Sequence, residues 1–217
     1  MKIMIIGGTG RVGKELVKFL KQDKETELSV TTRSPGKYQN DHIFENVKLV
    51  KFNLAELLVS DITELFNGFD VVYFVAGSRN EDLVQTESFG AIKTMQAAEK
   101  AGVTKYVMLS SAFALQPDKW INNPHYGNLQ AYQAAKYIAD YWLIHNTDLD
   151  YTILQPSTLT ETSGTGKVQF NIETPGENSI TDVAEVLKEV INNKNDSNKV
   201  ITMHSGKSTI QEELNNL

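Results

Sequence analysis

Residues 5–16 read IIGGTGRVGKEL, and the fold turns on how this run is parsed. It is entered from an isoleucine-rich stretch, residues 2–7 (KIMIIG), short and apolar throughout, as a strand covered on both faces should be. It is left through residues 11–22 (RVGKELVKFLKQ), where Val12, Leu16, Phe19 and Leu20 fall on one helical face. Between the two stand Gly7, Gly10 and Gly13. Strand, glycine turn and helix in that order open a βαβ unit.

The alternation continues along the chain. Residues 27–33 (ELSVTTR) and 47–53 (VKLVKFN) read as the second and third strands, and residues 54–68 as a helix closed by Gly68. Residues 70–77 (DVVYFVAG) form the least ambiguous strand. A helix over 83–100 ends before Gly102, and a fifth strand follows over 103–111. A helix is expected over 129–145, with Ala131, Ala135, Ile138 and Trp142 on one face, and a sixth strand over 149–156. A helix with Thr181 or Asp182 near its N-cap, a strand over 199–206 and a short helix over 208–217 complete the pattern. The expected fold class is α/β: one Rossmann-like domain over residues 1–217, doubly wound, with a mainly parallel sheet and helices on both faces. Two stretches read as irregular, 112–128 and 157–179. Both follow the carboxyl ends of strands, where open α/β sheets bind ligands.

Composition narrows the partners. The 217 residues are 41% hydrophobic and 22% charged, ordinary for a globular domain. A net charge of −6 argues against nucleic acid as a general partner. There is no cysteine, which excludes disulfides, thiolate catalysis and cysteine-ligated metals. His42, His125, His145 and His204 are scattered without metal-ligand spacing, His125 standing apart only because it lies in the first long loop. The N-terminal apolar run is too short for a leader, and no run approaches the roughly 18 apolar residues of a membrane span. A cytoplasmic protein acting on a small molecule, with no metal and no membrane partner, is the expectation.

A glycine turn between a first strand and a helix suits a dinucleotide. One glycine permits the turn, one lets the backbone approach a pyrophosphate, and one lets helix pack close to strand, while the helix N-terminus offers free N–H groups to phosphate. Thr9, Arg11 and Val12 go with Gly7, Gly10 and Gly13 as cofactor contacts. The end of the second strand reads Thr31-Thr32-Arg33-Ser34, with no carboxylate for a ribose 2′-hydroxyl. Arg33, with Ser34, is instead suited to a 2′-phosphate, which favours NADP over NAD. Asn53 and Leu54 are placed to flank the adenine, and the small residues Ala76 and Gly77 to let the cofactor pass. Ser110 and Ser111 end the fifth strand, and Tyr132 and Lys136 lie one turn apart on the next helix. Together they form a carbonyl-reduction set: the phenol as proton donor, the ammonium lowering its pKa and binding the nicotinamide ribose, and a serine holding the substrate oxygen.

The blocks GGTGRVG, AIKTMQAAEKAGVTKYVMLSS, YQAAK, LDYTILQPSTLTETSGTGKV and TDVAEVL, in this order, resemble an atypical short-chain dehydrogenase/reductase. The closest likeness is to the compact NAD(P)-binding branch of sugar-epimerase-like, NmrA-like and biliverdin/flavin reductase-like proteins. The resemblance implies cofactor contacts at the three glycines and Arg33, a YxxxK pair at Tyr132 and Lys136, and a nicotinamide and substrate border from Pro156 onward. Two positions depart from the branch: Gln155 stands where an arginine is common, and Asn53 where an aspartate is. The function expected is NADP(H)-dependent hydride transfer to a small carbonyl, quinone or flavin-like substrate. The alternative is a non-catalytic NADP(H)-sensing regulatory protein. A sugar-nucleotide epimerase would need a longer C-terminal part.

Overall fold

The computed structural model describes residues 1–78, 81–193 and 197–217, the side chain of His125 excepted. Strands β1 (Lys2–Ile6), β2 (Glu27–Thr32), β3 (Lys48–Lys51), β4 (Val71–Phe74), β5 (Lys105–Leu109), β6 (Tyr151–Pro156) and β10 (Lys199–Ser205) run parallel in the order β3-β2-β1-β4-β5-β6-β10. Two further strands, β8 (Lys167–Phe170) and β11 (Ser208–Thr209), extend the β10 edge in antiparallel register. The order reverses between β1 and β4, which leaves a crevice beyond their carboxyl ends.

Helices α1 (Arg11–Leu20), α6 (Ile180–Glu189) and α7 (Ile210–Asn215) cover one face through Val12, Leu16, Val17, Val183, Leu187 and Leu214. Helices α2 (Val59–Phe66), α3 (Phe89–Ala101) and α5 (Gln130–Asn146) cover the other through Ile62, Phe66, Met95, Ala98, Ala139 and Leu143. Central strands therefore bury both faces, which is why all four residues of β4 are apolar. Gly68 and Gly102 adopt φ of 78° and 70°, closing their helices as expected. No helix among the described residues is long and apolar enough to cross a membrane.

Three local expectations change. The second helix begins at Val59, because Asp61 accepts from the Leu58 N–H at 2.9 Å and starts it there. The preceding turn is held instead by the Lys93 ammonium, which donates to the carbonyls of Leu54 and Leu57. The helix expected over 83–100 is divided into a π-helical turn (Leu83–Ser88) and α3. The N-cap of α6 is Ser179, whose hydroxyl accepts from the Thr181 N–H at 3.1 Å.

Neither long loop is structureless. Stretch 157–179 contains β7 (Thr158–Thr160), β8 and β9 (Glu177–Ser179), with β7 and β9 paired as a small parallel sheet. Strands of three or four residues are too short to show a period in sequence. The buried Asp182 carboxylate orders the turn before β8 by accepting from the N–H groups of Thr165 and Gly166, each at 2.9 Å. Stretch 112–128 contains α4 (Pro117–Trp120) and closes on its own small core of Ala112, Phe113, Trp120, Tyr126 and Ile172. Trp120 anchors it, with its indole N–H on the Ala114 carbonyl at 3.2 Å.

Candidate active site

The three glycines of the first turn divide the labour. Gly7 sits at φ +84°, and a Cβ there would meet the Ala76 Cα at 2.4 Å. A Cβ on Gly13 would meet the Gly7 carbonyl at 2.5 Å, so α1 docks on the turn only without one. These two serve the fold. A Cβ on Gly10 would meet only that carbonyl, at 3.2 Å, and the residue is exposed. Gly10 is also the N-cap of α1, has no side chain to cap with, and is followed by a first turn without acidic residues. The Gly10 N–H is spent on the Gly7 carbonyl at 2.9 Å, so what fits a pyrophosphate is the close approach a bare Gly10 allows to the N–H groups of the first helical turn.

The end of β2 joins this turn. The Thr31 hydroxyl accepts from the Gly7 N–H at 3.3 Å, and Thr32 accepts from the Ser34 N–H at 3.2 Å. Arg33 and Ser34 then emerge exposed. The nearby Lys14 is committed elsewhere, 2.8 Å from Asp41. Asn53 turns its side chain back onto the Ala55 N–H at 3.3 Å, and Leu54 is buried beside it.

At the other end, Tyr132 and Lys136 share a face of α5, with the ammonium 5.6 Å from the centre of the phenol ring. Lys136 is buried, 2.8 Å from Glu87 Oε2, and donates to the Leu109 carbonyl at 3.1 Å. Glu87, from the π-helical turn, is itself fully buried. Its Oε1 accepts from the N–H and hydroxyl of Ser78 at 2.6 and 3.2 Å, tying the end of β4 to α5. One turn beyond Lys136 lies Asp140, also fully buried. Its Oδ2 accepts from the Ser110 hydroxyl and the Gln155 amide, both at 2.7 Å, while its Oδ1 has no hydrogen-bond partner.

Burial pushes the Asp140 carboxyl up to about 7, against the pull of Ser110, Gln155 and Lys136. Burial also raises Tyr132; Lys136 acts in the lowering direction but is outweighed, with Glu87 and Asp140 adding to the rise. Lys136 thus acts on the phenol in the expected direction, but burial exceeds it and the net shift is upward, so the surroundings keep the phenol protonated. For Lys136, burial works against the charge, but the tyrosine once it has lost its proton, and the Glu87 and Asp140 carboxylates, more than offset it and hold the ammonium charged.

Tyr132, Ser110, Ser111 and Pro156 meet at one cavity of about 360 Å³, closed by Leu129, Leu159 and Pro175 among others. Arg11 reaches its wall and faces Glu161 at 3.6 Å. Ser110 spends its hydrogen on Asp140 and turns only an acceptor elsewhere, whereas half-buried Ser111 is outside that network. Ala76 and Gly77 lie at the β4 end beside Gly7 and Glu87. The first-turn glycines, β4 end, serines and Tyr132–Lys136 pair thus come from one end of the sheet. Sequence reasoning missed Glu87, Asp140 and Tyr126. Tyr126, raised to about 12 by burial, is a second phenol in the cavity wall. The signal for Asp140 was present, since it continues the Tyr132, Lys136 spacing by one turn and faces Gln155.

A family model described as NAD(P)H-binding matches residues 7–194. The chain is 40% identical to the oxidoreductase ylbE from Lactococcus lactis, whose structure superposes with a TM-score of 0.93 over 100% of this chain and 96% of that one. It is 34% identical to UPF0659 protein YMR090W of Saccharomyces cerevisiae over 78% of this chain and 74% of the yeast protein. It is 28% identical to a Bacillus subtilis protein named uncharacterized sugar epimerase YhfK, with both chains covered in full.

Proposed function

The chain belongs to the NAD(P)H-binding family, and from that premise we propose that it is an NADP(H)-dependent reductase of a small carbonyl, quinone or flavin-like substrate. The observation that carries this reading is the meeting of Tyr132 and Ser111 on a cavity of about 360 Å³ at the carboxyl end of the sheet, with the buried Lys136 ammonium 5.6 Å from the Tyr132 ring. The bound dinucleotide supplies a hydride. Everything else is asked of the chain's own side chains. Gly10 and the first turn of α1 take the pyrophosphate, and Arg33 with Ser34 takes the 2′-phosphate. Tyr132, kept protonated, donates its proton to the substrate oxygen. Lys136 stabilises the phenolate left behind, with Glu87 fixing the ammonium in place. Ser111, rather than Ser110, is the hydroxyl with a hydrogen to offer the substrate. The apolar walls from Leu129, Leu159 and Pro175 favour a small, weakly polar substrate.

The test follows oxidation of NADPH against a panel of small carbonyls, quinones and flavins. Turnover of at least one is expected, and Tyr132→Phe should lower it about 10²-fold with cofactor affinity retained. Undiminished turnover in that variant overturns the role of Tyr132. A second reading, a cofactor sensor, draws on the closed network around the site, where Lys136 and Ser110 already have partners inside the protein. Firm NADPH binding with no turnover across the panel favours it.

A further inference from the structure

Among the described residues, the buried network behind the cavity holds one ammonium and two carboxylates. Lys136 is spent on Glu87 at 2.8 Å. Asp140 has only neutral donors, Ser110 and Gln155, both on the same oxygen, and its Oδ1 is left bare. The groups around it are Lys136 and Tyr132 on its own helix, Ser110 at the end of β5 and Gln155 from β6, with Glu87 from the π-helical turn on the far side of Lys136. None of these brings a second positive charge. With both carboxylates ionised, the network buries one uncompensated negative charge, which a protein interior tolerates poorly. Either a proton or a cation in the cavity, one hydroxyl away through Ser110, relieves it.

We propose that Asp140 makes this site distinguish the oxidised from the reduced nicotinamide cofactor, by giving up one proton when the oxidised form binds. This rests on the reading of the cavity as the nicotinamide end of the site. The oxidised ring carries a positive charge and the reduced ring does not. The oxidised cofactor supplies the charge the network lacks, so Asp140 ionises and its proton leaves to solvent. The reduced cofactor leaves Asp140 protonated. No bond of the cofactor changes: protein carrying neutral Asp140 plus NADP⁺ gives protein carrying the carboxylate, bound NADP⁺ and one free proton. The position of the Asp140 pKa, about 7, sets the linkage near neutrality. Glu87 cannot take this part, because its charge is already met by Lys136.

The experiment measures dissociation constants of NADP⁺ and NADPH from about pH 6 to 8 and follows their ratio. Titration of the 2′-phosphate is common to both and cancels. The ratio of NADP⁺ to NADPH dissociation constants should fall about fivefold to tenfold as pH rises across that range, then level off. Calorimetry near pH 6.5 in two buffers of different ionisation enthalpy should find about three-quarters of a proton more released with NADP⁺ than with NADPH, the 2′-phosphate contribution being common to both. Asp140→Asn, neutral and isosteric, should flatten the ratio. A flat ratio in the unaltered protein overturns the proposal without reference to any variant, and so does an unchanged slope in Asp140→Asn. If neither cofactor binds at any pH, it is the parent reading that fails.

Discussion

Asp140 sits in the sharpest local conflict in the chain: a carboxylate at 0% exposure, with neutral partners and one oxygen unmet. Its pKa is raised from 3.8 to about 7, chiefly by burial, so the native state holds this proton more tightly than the unfolded chain does. The associated stability is fully present below the unfolded value, near pH 4, and is lost as pH rises through about 7. Asp140→Asn keeps the shape and never ionises. Its cofactor-free form should melt above the unaltered protein at pH 8 by about 4 °C or more, the gap closing as pH falls toward 4. Melting temperatures that track each other across this range would contradict the assignment. The wall of the cavity is also set one residue at a time. Ser110 and Ser111 are equivalent in sequence, yet the first donates to Asp140 and the second does not. The sequence does not separate them, because the deciding partner, Asp140, comes from α5, thirty residues on.

At the scale of elements, the proposed preference for NADP is assigned to the point where β2 leaves the sheet. Thr31 and Thr32 are consumed by the turn, Gly7 and Ser34 being their backbone donors, so Arg33 is the side chain presented there. Arg33→Ala should weaken NADPH binding by about tenfold to a hundredfold, the worth of a charge-assisted contact, and NADH binding by about threefold at most. Equal losses would remove the 2′-phosphate from Arg33. The long elements were legible in the sequence because burial on both faces of the sheet leaves unmixed apolar runs such as Val71–Phe74, and because Gly68 and Gly102 close their helices. The short strands β7, β8 and β9 were not, since three or four residues carry no period. Glu87 was hidden for another reason. A glutamate in a helical pattern reads as solvated until its lysine is known, and Lys136 reaches it only through the fold.

At the scale of the whole molecule, the reversal of strand order between β1 and β4 gathers the site. It sets the glycine turn after β1 against Ala76 at the end of β4, and Glu87 links that end to α5 beside the serines of β5. Alternating patterns predicted the mainly parallel sheet, and it runs parallel from β3 through β10 as expected. The antiparallel edge was the addition, with β8 built from a stretch expected to be loop and β11 from the start of one expected to be helix. It covers the β10 edge of the sheet with short strands rather than leaving that edge open. The proposed reading lays the dinucleotide from the end of β2, across Gly10, to the cavity under Tyr132. A crystal structure of the protein with NADP⁺ tests this most directly. The account predicts the 2′-phosphate against Arg33, the pyrophosphate on the backbone at Gly10, and the nicotinamide ring in the cavity facing Tyr132 and Ser111. A nicotinamide ring lying outside that cavity, with Tyr132 turned away from it, would contradict the account.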